Sequence, residues 1–142
     1  MANRRRPGHS GVTFGPNTSG KLYLSDYRHR GNGDARYKSF WLATIPASTE
    51  FEIFCVSDTK NLLDEDGNLF GCLDDGETEI GTKGEVLCKF WNPHNQVNPW
   101  HGHRVSPSLR SADEIKIPTV QQWIDSQSIT RTFGRSIQRG EV

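Results

Sequence analysis

The sequence predicts an α+β fold: a mainly antiparallel sheet of five to seven short strands, twisted or partly closed, with a C-terminal helical pair packed on it. Three observations carry this expectation. Fourteen Gly and seven Pro in 142 residues cut the chain into many turns. Between the turns lie short apolar runs of strand length, rich in aromatic and β-branched residues. Only the last third shows apolar residues at helical spacing. The length suits one domain with one core. A third of the residues are apolar, so that core leans on four Trp, seven Phe and three Tyr, each removing roughly 150–250 Å² from water when buried.

Taken in order, residues 1–20 are rich in Gly, Ser, Pro, Asn and Arg and read as a flexible basic arm. The folded domain is expected over 21–142, with the sheet in 21–105 and the helical pair in 118–140. Leu22 and Leu24 alternate with Tyr23 and Ser25, which predicts a half-buried strand from Lys21 to about Tyr27. Lys38 to Ile45 is a near-continuous apolar run stopped by Pro46 and reads as a central strand; Phe51 to Val56 reads as the next. Asp66-Gly67 and Asp75-Gly76 are hairpin signals, because Gly accepts positive φ. They would join short strands at Leu69–Leu73 and Thr78–Ile80, before a further strand from Glu85 to Trp91. Val120, Trp123 and Ile124 then predict a helix over Thr119–Ser126, preceded by Pro118. Ser128 or Thr130 caps a second helix ending near Arg139, with Gly140 beyond it. Ile129, Phe133 and Ile137 form its apolar stripe, and Arg131, Arg135 and Arg139 stand opposite.

Arg4–Arg6 are followed by Pro7, Gly8, His9 and Ser10 rather than by the apolar core of a secretory signal. No stretch approaches the roughly 20 apolar residues of a membrane span. Cys55, Cys72 and Cys88 are odd in number and sit in or beside strand-like runs, which suits reduced thiols. A cytoplasmic protein without disulfides or membrane contact is therefore expected. The formal net charge is zero, but the charges are segregated. Residues 1–40 carry eight Lys/Arg against two Asp/Glu, residues 41–90 three against eleven, and residues 91–142 six against four. Such asymmetry marks either a polar partner surface or segments that neutralise one another on folding.

No catalytic or metal-binding motif is complete. HExxH, GxSxG and the HxE and PCxxC elements of zinc deaminases are missing. Asp64–Asn68 fails the spacing of a calcium loop, and Gly81-Thr82-Lys83-Gly84 is too short for a P-loop. Polar chemistry gathers instead in three places. His94, His101 and His103 fall within ten residues, next to Trp100 and Arg104. Imidazoles exchange protons near neutral pH and Arg stabilises phosphate charge, so this group suits anion binding or phosphodiester cleavage. Arg28, His29 and Arg30, with Arg36 and Lys38 shortly after, end a predicted strand and offer phosphate-binding forks beside ring faces. The third group is the helical ladder Arg131, Arg135 and Arg139.

These residues predict a binding protein for an anionic partner, foremost nucleic acid (RNA or DNA) or a nucleotide. Arg28, Arg30, His94, Trp100, Arg131, Arg135 and Arg139 would contact the ligand. The alternative is a small metal-independent nuclease of the toxin or defence kind, with His101, His103 or His29 as base and acid and Arg104 stabilising the phosphate. A second alternative is a protein–protein adaptor or inhibitor using the acidic segment 58–79. None of the three requires a cofactor or a metal.

Overall fold

The computed structural model describes residues 3–5, 11–30, 38–95 and 97–142. Arg6, His9, Arg36 and Gln96, like the side chains of Arg4 and Arg5, lie outside the described residues. Six strands are seen: β1 (Asn3–Arg5), β2 (Gly11–Phe14), β3 (Tyr23–Asp26), β4 (Leu69–Cys72), β5 (Leu87–Trp91) and β6 (Trp100–Val105). Three helices accompany them: α1 (Ala47–Thr59), α2 (Ile117–Asp125) and α3 (Arg131–Gln138). The class is α+β. The sheet is mixed and open, ordered β1-β2-β3-β6-β5-β4. Its neighbours run antiparallel except at the centre, where β3 and β6 pair in parallel with Tyr23 opposite Trp100 and Leu24 opposite His101.

Two expectations from the sequence are corrected here, and a third boundary moves. Phe51–Val56 is not a strand but the middle of α1. The buried positions of that helix are Glu50, Phe51, Ile53, Phe54 and Ser57, which is helical spacing with polar residues at two of its places. Glu50 and Ser57 hid the period. Pro46, read as the stop of a strand, stands at the helix N-cap, where its missing N–H costs nothing. The Lys38–Ile45 and Thr78–Ile80 strands shrink to a single bridge between Trp41 and Gly81, flanked by Leu42 N–H to Ile80 O and Thr82 N–H to Phe40 O bonds. Phe40, Trp41 and Ile45 are buried all the same. Finally, β1 and β2 place sheet strands within the first twenty residues, so the sheet starts before Lys21.

The helical pair was legible nearly to the residue. Thr130 caps α3 by accepting from Phe133 N at 3.2 Å, and Gly140 follows with φ +71°. Gly134 has a packing reason: a Cβ there would sit 2.4 Å from Ile124 Cγ1, so α2 and α3 meet across it.

Both faces of the sheet are used, by different partners. On the first, α1 closes a core with Phe14, Tyr23, Leu69, Cys88, Phe90 and Trp100. On the second, α2 and α3 close a core with Phe70, Leu87 and Val105. Side chains alternate along a strand. Cys88 and Phe90 face α1, so Lys89 and Trp91 share the second face with Leu87. Trp100 faces α1, so His101 and His103 share the second face with Val105. The helical cover reaches Phe70, Leu87 and Val105 but not those four residues, and His101 and Trp91 are exposed. Among the described residues, no helix covers that half of the face.

Candidate anion-binding site

The uncovered half-face ends where β6 meets the turn after β3. Register aligns Lys89 with His103 and Trp91 with His101. Beyond β3, Tyr27–His29 form a 3-10 turn whose N-cap Asp26 accepts from Arg28 N. That turn delivers His29 to β6. Its ring centroid lies 6.3 Å from that of His103, and its Nδ1 lies 3.5 Å from Arg104 Nη2. Three residues singled out in the sequence, 74 or 75 positions apart across the β3–β6 seam, therefore converge.

Arg104 points to the α1 side, as alternation requires, and is only 6% exposed. Its guanidinium lies over the Trp41 ring, 5.1 Å from the centroid. It donates to Ser39 O at 2.6 Å and reaches Ser39 Oγ at 3.5 Å. Among the described residues its hydrogen-bond acceptors are thus a carbonyl, a hydroxyl and an imidazole, all neutral. Nη1 is buried without any hydrogen-bond partner, as is Nε1 of Trp41. Burial pushes the Arg104 guanidinium below its usual range, with Glu85 and Glu50 acting the other way. An Arg still stays charged at neutral pH. Glu85 and Glu50 offset part of its charge without bonding it, and the empty Nη1 donors remain costly until an acceptor completes them.

The histidines are held neutral, and their tautomers follow from their partners. Trp91 Nε1 donates to His103 Nδ1 at 2.9 Å; an indole N–H can only donate, so the His103 proton sits on Nε2. Arg104 has no acceptor, so His29 Nδ1 must accept from it, and the His29 proton also sits on Nε2. Burial, followed by the Arg104 charge, lowers His29 to about 4. His103 is lowered by burial and by Arg104, against the pull of Asp113. His101 is lowered by desolvation against the sheet, with Asp26 and Arg28 acting on it in opposite senses. At neutral pH the site presents N–H donors, not imidazolium ions.

The remaining predicted residues lie elsewhere or are engaged. Arg30 is bound to the buried Glu50, Nε to Oε2 at 2.6 Å, and to Ile45 O. Tyr23 and Ser25 complete that carboxylate from β3. Arg28 forks onto Asp26 at the edge of the site. Trp100 is packed against Phe54 in the first core. His94 is exposed, with φ +61°, in a separate loop hollow with Lys21 and Asn98. The arginine ladder is split: Arg135 bonds Gln121 and Gln138, Arg139 pairs with Glu141, and Arg131 is exposed beside a groove of about 890 Å³ between α1 and the α2–α3 turn. Of the acidic segment, Asp58 is tied to Lys21 at 2.7 Å, while Asp74 and Asp75 border the same groove. Among the described residues no three His, Cys, Asp or Glu side chains come together to hold a metal ion, and no helix is long and apolar enough to cross a membrane.

Trp91, Lys89, Ser39 and Trp41 were missed as site residues. The alternation of Lys89 and Trp91 with Cys88 and Phe90 was the available signal, since it sets a cation and an aromatic ring opposite His103 and His101. No family model matches this chain, and neither does any curated protein or solved structure.

Proposed function

We propose that the protein binds an anionic partner, nucleic acid or a nucleotide, where His29, His103 and Arg104 meet. The observation that carries this reading is Arg104: a buried guanidinium with neutral acceptors and both N–H donors of Nη1 empty. A phosphate oxygen supplies the missing acceptor and charge at once, and charge-assisted N–H···O⁻ bonds are the strong ones. His29 and His103, with protons on Nε2, add neutral donors that bind without proton transfer. The test is binding of a labelled oligonucleotide across a salt series. Each phosphate contact gives a slope of about −0.7 in log K against log [salt] for a single strand. Arg104→Gln should weaken binding at least about tenfold, whereas Arg104→Lys keeps charge and loses the fork. Affinity that is flat in salt, or unchanged in Arg104→Gln, refutes the reading.

The convergence of two histidines beside an arginine also supports a second reading, a metal-independent nuclease. The tautomers weigh against it, since each Nδ1 is occupied and neither ring is charged at neutral pH to act as acid. Cleavage of an RNA pool that disappears in both His29→Ala and His103→Ala would favour it.

A further inference from the structure

The geometry points to Trp91 and His103 as a joint stacking plate for an unpaired nucleobase, so that the anionic partner is a single-stranded nucleic acid. This rests on the anion-binding reading above and names the part of the ligand that reading leaves open. The indole N–H and the imidazole lone pair both lie in their ring planes. A 2.9 Å bond between them, with planes only 23° apart and centroids 5.7 Å apart, sets the rings edge to edge. Together they make one nearly flat surface wider than either ring. Lys89 lies against it, with Nζ 4.0 Å from the Trp91 centroid. Trp91 is 36% exposed, an unusual position for a large ring on a sheet half that no helix covers. An exposed aromatic ring among cations is the kind of surface on which bases stack, whatever their identity.

The plate also adjoins the phosphate seat. Trp91 touches His103, His103 neighbours His29, and His29 touches Arg104. His29 stands beyond the end of β3, within reach of both His103 and Arg104, so a nucleotide stacked on the plate brings its phosphate to the His29 end of the row. Duplex DNA or RNA offers no base face, because each is covered by the next pair. Selection for single strands follows from the plate, while affinity for phosphate follows from Arg104.

Three probes of equal length separate the two ideas: a single-stranded oligonucleotide, its duplex, and an abasic strand carrying the same phosphates. At one salt concentration the single strand should bind at least about tenfold more tightly than either of the others, as loss of a stacking contact implies. Trp91→Ala should remove that advantage and leave the abasic strand unaffected. Trp91→Phe, which keeps a ring but loses the bond joining it to His103, should restore only part of it. Equal affinity for the abasic and base-bearing strands overturns the plate while leaving the anion site standing, as does Trp91→Phe matching the parent. Binding to none of the three overturns both.

Discussion

Protonating His29 places a second donor against the Arg104 guanidinium, and the surrounding protein resists it. The sign of the effect on stability follows directly. Between about pH 4, the folded value, and about 6.5, the ordinary one, the unfolded chain holds a proton that the folded chain rejects. Stability from this group is therefore present above pH 6.5 and is lost as pH falls towards 4. A shift of that size corresponds to about 3 kcal/mol, and the partial exposure of the ring reduces it to the order of 1–2 kcal/mol. His101 and His103 shift in the same direction. Urea midpoints measured from pH 7 to 4.5 should fall less steeply in His29→Gln than in the parent, and parallel curves would contradict the assignment. Glu50 is the other titratable residue at the heart of the fold. Burial raises its pKa despite bonds from Tyr23, Ser25 and Arg30. Glu50→Ala leaves Arg30 without its carboxylate and should cost about 3–5 kcal/mol in chemical denaturation. A loss under about 1 kcal/mol would show that the network contributes little. His29, His103 and Arg104 were visible in the sequence because their chemistry is rare and stands out by type. Glu50 was not, because a buried acid inside an apolar stripe reads as a surface residue until its three partners, far away in the chain, are placed around it.

At the scale of elements, α2 and α3 could be read because each carries one clean apolar stripe and α3 carries a cap. Helix α1 could not. Its buried face includes Glu50 and Ser57 while Val56 is exposed on the other side, so its apolar residues trace no single stripe, and a short continuous apolar run is ambiguous between helix and buried strand. The segment 38–45 failed for the opposite reason. Phe40, Trp41 and Ile45 are as buried as a strand's residues, but the backbone bonds are scattered: Leu42 N–H to Ile80 O, Thr82 N–H to Phe40 O and Trp41 N–H to His29 O. Gly134 offers a test at this scale. Helix propensity alone says that Gly134→Ala should gain about 1 kcal/mol. The clash with Ile124 Cγ1 and Cδ1, at 2.4 and 2.5 Å, says otherwise: overpacking costs about 1–3 kcal/mol. The net expectation is a lower thermal midpoint, and a raised one would mean that α2 and α3 can separate without penalty.

For the molecule as a whole, the segregated charges are partly used in folding. The basic first segment meets the acidic second through Lys21–Asp58 and Arg30–Glu50, and Asn17 and Ser19 also bond Asp58. These contacts clamp the strands β2 and β3 to α1. Near His29 and His103, Lys38, Lys89 and Arg104 stand among the acids Asp26 and Asp113, so both signs of charge meet at that end of the sheet. The parallel seam at the centre of the sheet has a further consequence, for the order of events in time. β4, β5 and β6 follow one another as antiparallel neighbours, and α2–α3 pack on them. β3 reaches β6 only across the long intervening chain, and closing so large a loop is an entropic cost met late in folding. His29 and Arg104, 75 residues apart, face each other only after that closure. The contact between His29 and Arg104 therefore exists only when the N-terminal strands have joined the C-terminal half of the chain.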